Sequence, residues 1–208
     1  MALAAELLSD PAGMTRSDMR SLLLIASALG QKDEYTHAHA YRVAYYAKRL
    51  ALCAGLAVED VMQVAMGGML HDTGKLALSD TIFSNRKAAL SREMLQEVYS
   101  HPLIGASMLR RISCPKAVFD AVLFHHERMD GSGYPFGIKG EAIPLSARIV
   151  SIADCFDAIT TDRPYQKRKS CTSAILMLER VSGKRLDGDL VNLFIGEIRA
   201  RGMATASS

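Results

Sequence analysis

Residues 34–54 read EYTHAHAYRVAYYAKRLALCA, and this stretch decides the fold class. Tyr35, His39, Val43, Tyr46 and Leu50 recur at steps of three or four residues, the spacing that puts side chains on one face of an α-helix. Gly55 follows as a stop signal. His37 and His39 lie two positions apart and so on opposite sides of such a helix. His39 falls on the apolar stripe. His37 is expected to face outward with Glu34 and Ala44.

The same period extends to both sides. Residues 17–30 form an apolar helix with Asp18 near its start and Gly30 at its end, and 58–70 form another opened by Glu59 and Asp60. Ser91 is placed to cap a helix through about residue 100. Pro102, Pro115 and Pro144 sit where a first helical turn tolerates proline, and open helices at 102–111, 115–126 and 144–160. Two more fit 171–182 and 187–200. No segment alternates with period two between turn dipeptides, so the chain is expected to be all-α. The exception is 127–143, a long loop with glycines at 131, 133, 137 and 140. A loop of that length inside a compact domain is usually functional or disordered, and its place directly after a histidine pair favours function.

At 208 residues the chain is expected to hold one domain over 17–202, with tails at 1–16 and 203–208. Apolar residues make up 49% and charged residues 23%, which excludes a wholly disordered chain. No apolar run approaches the roughly 20 residues of a membrane span, so no membrane association is expected. The N-terminus has no basic region and carries Glu6 and Asp10, a poor signal peptide, and the expected location is cytoplasmic. A net charge of +3 is too mild to indicate a DNA or RNA binder. Two short basic runs, Lys167–Lys169 and Lys184–Arg185, read first as solvated surface and second as local attraction for an anionic substrate. Cys53, Cys114, Cys155 and Cys171 show no paired spacing, which excludes a zinc finger and a disulfide framework.

The chemistry concentrates in six histidines: His37, His39, His71, His101, His125 and His126. Several stand at the ends of separate apolar helices. Imidazole and carboxylate donors without cysteine suit Fe, Mn, Zn or Ni rather than a structural zinc site. In Gly67-Gly68-Met69-Leu70-His71-Asp72-Thr73-Gly74-Lys75, the paired glycines allow another helix to approach closely. Asp72 has two oxygens with which to bridge two metals. Gly74 is expected to permit a turn that brings Lys75 back toward the site. The alternative is an ordinary helix C-terminus with Gly74 as its stop.

These residues carry a resemblance. Tyr35-Thr36-x-x-His39-x-x-Arg42-Val43, His71-Asp72-x-Gly74-Lys75 and His101-Pro102-x-x-Gly105 resemble the HD superfamily of metal phosphohydrolases. His125-His126-Glu127-Arg128-Met129-Asp130-Gly131-Ser132-Gly133-Tyr134-Pro135 looks like the signature of its HD-GYP branch. Ala153-Asp154-Cys155-Phe156-Asp157-Ala158 and Asp162-Arg163-Pro164-Tyr165 match as well, so the resemblance covers about 17–200. It implies the HD helical bundle with a long GYP loop. It implies a metal set of His39, His71, Asp72 and Asp154, with His101, His125 and His126 holding a second metal. It further implies hydrolysis of cyclic di-GMP to pGpG or GMP, with Lys75, Tyr134 and Arg163 on the substrate's phosphates and diguanylate cyclase (GGDEF) domains as possible partners. Where some members carry a glutamate for a third metal, this chain has Tyr35, which implies two metals. Gln166 stands where some members have a basic residue.

The chemistry expected of such a site is attack by a metal-bridging hydroxide on phosphorus, with Asp72 and Lys75 as the catalytic side chains and Fe or Mn as the expected metals. Other readings are a phosphodiesterase for 3′,3′-cyclic GMP-AMP and a non-catalytic cyclic-dinucleotide-binding module. The presence of all seven candidate ligands favours catalysis. Asp157, one turn from Asp154, reads as a hydrogen-bond partner of a ligand, and Glu127 and Asp130 as loop-ordering residues. The residues before 17 are expected to leave no room for a sensor domain.

Overall fold

The computed structural model describes residues 15–32, 34–84, 90–162 and 167–206. Within them the order is α1 (Arg16–Lys32), α2 (Glu34–Cys53), α3 (Val58–Leu70), a 3₁₀ turn (Thr73–Ala77), α4 (Asp80–Ser84), α5 (Arg92–Tyr99), α6 (His101–Leu109), α7 (Lys116–Phe124), a 3₁₀ turn (Gly140–Ala142), α8 (Leu145–Thr160), α9 (Cys171–Val181) and α10 (Gly188–Ala206). The expected all-α class holds. Ser91 caps α5 by accepting the Met94 amide at 3.2 Å, and Gly55 after α2 has φ +75°. The short α4 and the two 3₁₀ turns were not expected; at three to five residues they are too brief for a periodic signal.

Helices α3 and α8 form the middle of the bundle. Helix α3 is apolar on all sides, and from Val61 to Leu70 only Gln63 escapes full burial. It packs on α2, α7 and α8, while α8 also packs on α9 and α10. One core cluster joins Val43 and Leu50 of α2 to Ile149, Val150 and Phe156 of α8 and to Phe194 of α10. A second joins Met19 and Leu22 of α1 to Ala44 of α2, Met66 and Met69 of α3, and Val122 of α7.

Ala44 therefore corrects the expectation that it faces outward with His37: it is fully buried. Helix α1 covers the side of α2 opposite the predicted stripe. His37 is half-buried, edge-on to Tyr41 with ring centroids 4.9 Å apart, and packed so closely on α1 that a Cβ at Gly30 would meet its ring at 2.7 Å.

Candidate metal centre

Three glycines set how closely the site-bearing helices meet. A Cβ at Gly67 would stand 2.6 Å from that of Ala121 in α7, and one at Gly68 3.1 Å from the Ala44 Cα in α2. A Cβ at Gly74 would collide with the His101 carbonyl oxygen and lie 2.7 Å from the Gly105 amide. Gly74 lies in the 3₁₀ turn Thr73–Ala77, which brings Lys75 back to Asp72 as expected; its φ is not positive, so what demands a glycine there is the close approach of α6. These contacts bring the end of α3, with His71 and Asp72, against His39 on α2, His101 at the start of α6, His125 and His126 after α7, and Asp154 on α8.

All seven predicted side chains converge. Donor atoms of His39, His71 and Asp154 lie within 4.8 Å of one another, as do those of His101, His125 and His126, and those of His71, Asp72 and His125. Asp72 stands between the groups. Its Oδ2 is 3.4 Å from His71 Nε2 and 3.8 Å from His39 Nε2, while its Oδ1 is 3.4 Å from His101 Nε2. His39 Nε2 is also 3.2 Å from Asp154 Oδ1.

The remaining ring nitrogens have fixed tasks. Nδ1 donates to Gly68 O from His71 (2.7 Å), to Val98 O from His101 (2.6 Å) and to Val122 O from His125 (3.0 Å). In a neutral imidazole that leaves the lone pair on Nε2, facing the centre. His101 Nε2 and His125 Nε2 stand 3.3 Å apart in this orientation. Two lone pairs so close have no proton to share, an arrangement that a cation relieves. The donor set thus fits divalent metal ions.

Electrostatics agree. Burial drives His101 down to about 4 and His126 to about 3, and together with the neighbouring imidazoles it holds His125 well below its ordinary value. All three are neutral at pH 7. Burial would raise Asp72, but His71 and the Lys75 ammonium hold it far below the usual carboxylate range. Burial would also raise Asp154, and the His39 hydrogen bond and charge reverse that. Burial would lower His39, yet hydrogen bonds to Asp154 and Asp157 raise it to about 9, so a cation there competes with one proton.

Asp157 is the hydrogen-bond partner expected. Its Oδ2 accepts from His39 Nδ1 at 2.7 Å and from Arg42 Nη2 at 3.1 Å, and its Oδ1 from Arg42 Nε at 2.6 Å. Arg42 had no role assigned from sequence, although its place three residues after His39 puts it on the same helical face. Glu127 is buried, and its Oε1 accepts the amides of Phe136 (2.7 Å) and Gly137 (3.1 Å); Asp130 accepts the Ser132 amide at 2.9 Å. The loop folds back so tightly that a Cβ at Gly133 would stand 2.5 Å from the His126 carbonyl oxygen, and the Tyr134 amide donates to that oxygen at 3.2 Å. The Tyr134 ring stacks on His126 at 4.6 Å and lies 4.5 Å from the Tyr99 ring. Lys75 Nζ is 2.6 Å from Asp72 Oδ2. Arg163 and Gln166, and the side chain of Tyr35, lie outside the described residues.

The HD domain model matches residues 24–190, most of the chain. The chain belongs to the HD-domain family. Divalent-metal binding is a property of that fold, and the His/Asp groups of this HD domain are its counterpart. The cyclic di-GMP phosphodiesterase PA4108 of Pseudomonas aeruginosa is 41% identical over 166 residues, covering 77% of this chain and 39% of its own length. The cyclic di-GMP phosphodiesterase response regulator RpfG of Xanthomonas campestris is 34% identical over 197 residues, covering 94% of this chain and 52% of its own length. The chain thus spans between two fifths and about half of these curated relatives. The crystal structure of the cyclic GMP-AMP phosphodiesterase V-cGAP3 of Vibrio cholerae shares the fold, with a TM-score of 0.66 at 18% identity, over 86% of this chain and 48% of that one. No helix among the described residues is long and apolar enough to cross a membrane.

Proposed function

We propose that this HD domain is a metal-dependent phosphodiesterase that hydrolyses cyclic di-GMP to pGpG, GMP or both, with two divalent metal ions. The observation that carries the reading is Asp72, whose two oxygens face separate groups of imidazole nitrogens. His39, His71 and Asp154 would hold one metal and His101, His125 and His126 the other, with Asp72 shared. The names of the curated relatives support the substrate, and the donor chemistry suits Fe or Mn, with Zn or Ni as alternatives. Metals bound there supply Lewis-acid polarisation of a phosphoryl oxygen and lower the pKa of water.

The chain's own residues do the rest. Asp72 and Asp154 are ionised and buried or partly buried, so they favour cations in the centre over neutral solvent. The Lys75 ammonium, part-exposed beside Asp72, stabilises charge growing on the reacting phosphate. The Tyr134 ring has His126 and Tyr99 beside it, so its contribution to substrate is its hydroxyl rather than stacking on a base. Arg163 is assigned to the same substrate by the resemblance. A cytoplasmic setting and contact with GGDEF domains belong to the same reading.

The test is anaerobic reconstitution with Fe or Mn, followed by chromatography of products from cyclic di-GMP and from 3′,3′-cyclic GMP-AMP, with Asp72→Asn as the inactive control. Metal-dependent appearance of pGpG or GMP is expected. Cleavage of cyclic GMP-AMP alone would refute the substrate. Binding without cleavage of either would establish the non-catalytic module instead.

A further inference from the structure

The basic pair Lys184–Arg185 finds no use in the reaction centre, yet the backbone that bears it is fixed close by. The turn that bears it lies between α9 and α10. The Met129 amide of the Gly-rich loop donates to Arg185 O at 3.2 Å, the Gly183 amide (φ +70°) donates to Leu186 O at 2.8 Å, and Arg148 of α8 donates to Asp187 at 2.6 Å. Asp187 in turn accepts the Asp189 and Leu190 amides that open α10. Arg185 is therefore presented from a fixed turn bonded to the loop and, through Asp187, to the helix that carries Asp154.

Beside this turn is a cavity of about 240 Å³. His126 and Asp154 line it, so it adjoins the metal centre; Ser151 and Cys155 of α8 line it too, and so do Arg128 and Arg185. Among the described residues no carboxylate stands within ion-pair distance of either guanidinium. Arg128 donates to the Ser132 hydroxyl at 3.4 Å and meets the Asp130 charge only at longer range, whereas the nearby Arg148 is already neutralised by Asp187. The acid next to Arg128, Glu127, turns one oxygen to the loop amides. Glu127 and Asp154 line the same cavity, Asp154 engaged by His39 and Glu127 by the loop amides, so its two arginines are the charged groups there without an ion pair, next to a centre that would hold one phosphodiester.

A cyclic dinucleotide has two phosphates, and one reacts at a time. Sites that enclose a drug-sized ligand run to about 300–1,000 Å³. This cavity is below that range, enough for part of such a substrate and too small for all of it. We propose that it is the subsite for the non-reacting phosphate, gripped by Arg185 and Arg128, so that these residues select diesters bearing a second anion. The proposal rests on the phosphodiesterase reading above. A guanidinium suits the task because it binds phosphate through two parallel hydrogen bonds.

The experiment compares wild-type protein with Arg185→Gln, Arg128→Gln and Lys184→Gln on cyclic di-GMP and on bis(p-nitrophenyl) phosphate, a diester with one phosphate. Arg185→Gln is expected to raise KM for cyclic di-GMP at least about tenfold with kcat largely kept, as loss of a charge-assisted phosphate contact does. Activity on the one-phosphate diester and metal content should stay within about twofold. Lys184→Gln, outside the cavity, should match wild type on both substrates. Arg185→Lys should recover part of the loss. An unchanged KM in both arginine variants would overturn the subsite, and so would an equal loss on both substrates. If the wild-type protein cleaves no cyclic dinucleotide, the phosphodiesterase reading is what fails. Calorimetric titration of the metal-loaded protein with cyclic di-GMP then decides the subsite. Tenfold weaker binding in Arg185→Gln supports it, and unchanged binding refutes it.

Discussion

Asp157→Asn removes one negative charge and leaves the side-chain volume almost unchanged. Asp157 is fully buried and accepts from His39 Nδ1, from two nitrogens of Arg42 and from the Thr161 hydroxyl at 3.1 Å. An amide offers one accepting oxygen, and its NH₂ must then face His39 or Arg42, both donors. Hydrogen bonds to charged groups are worth about 1.5–3 kcal/mol each. Arg42 is one-third exposed and recovers water, so the expected loss of stability is about 2–3 kcal/mol rather than the sum over all contacts. His39 also loses the acceptor that fixes its ring. Removing such a partner from a metal-ligating histidine typically costs about 10–100-fold in affinity. Competition titration with a metal-sensitive dye measures that loss, and denaturant unfolding in chelator measures the first. The Arg42→Met variant, which spares the His39 contact, should lose less metal affinity than Asp157→Asn. Metal affinity within about twofold of wild type in Asp157→Asn would show that Asp157 does not hold His39 for a cation.

Gly74→Ala forces a Cβ against the His101 carbonyl, backbone against backbone, and should lower both the unfolding temperature and metal content; Gly68→Ala, with its nearest neighbours at 3.1–3.3 Å, should be milder by the same two readouts. His37→Ala should keep full metal content and lose about 1 kcal/mol of packing in a denaturant titration, whereas His39→Ala should lose metal; equal metal loss would refute the different tasks given to the two faces of α2. The metal-free chain should be most stable near pH 6.5, the unfolded value for histidine. Below it the unfolded state takes up protons that His101 and His126 refuse until about pH 4 and 3, so stability falls with pH; above it the stabilising proton on His39 is lost as pH approaches about 9. Thermal unfolding in chelator across pH 4–9 checks both slopes, and a flat profile would contradict them. Tyr134→Phe keeps the ring beside His126 and Tyr99, so metal content should stay intact while KM for cyclic di-GMP rises; unchanged kinetics would remove the hydroxyl from the substrate contacts.

Local pattern carried the reading a long way where one helix sufficed. Glu59 and Asp60 at one end and the run through Leu70 at the other marked α3, because acidic first turns and an apolar repeat are properties of the segment itself. His39 was separable from His37 by helical angle alone. Ala44 was misread because burial on a second face depends on α1, which no periodicity within α2 reports. The turn at Gly74 was legible, but the backbone of α6 that excludes any side chain there is a contact between residues 27 apart in sequence. The HD and GYP motifs named the candidate ligands, yet Arg42 and the carbonyls of Gly68, Val98 and Val122 that orient them came only with the fold. Backbone acceptors carry no sequence signal. The Arg128–Arg185 cavity joins elements more than 50 residues apart and was legible only as a basic pair near the C-terminal helix.

The central claim is that Asp72 is shared by two metal ions. Crystals of the anaerobically reconstituted protein, measured at the absorption edge of Fe or Mn, test it through anomalous difference density. The account predicts two peaks per chain on opposite sides of the Asp72 carboxylate, one among His39, His71 and Asp154 and the other among His101, His125 and His126. A single peak, a third peak of equal height, or density away from Asp72 would contradict it.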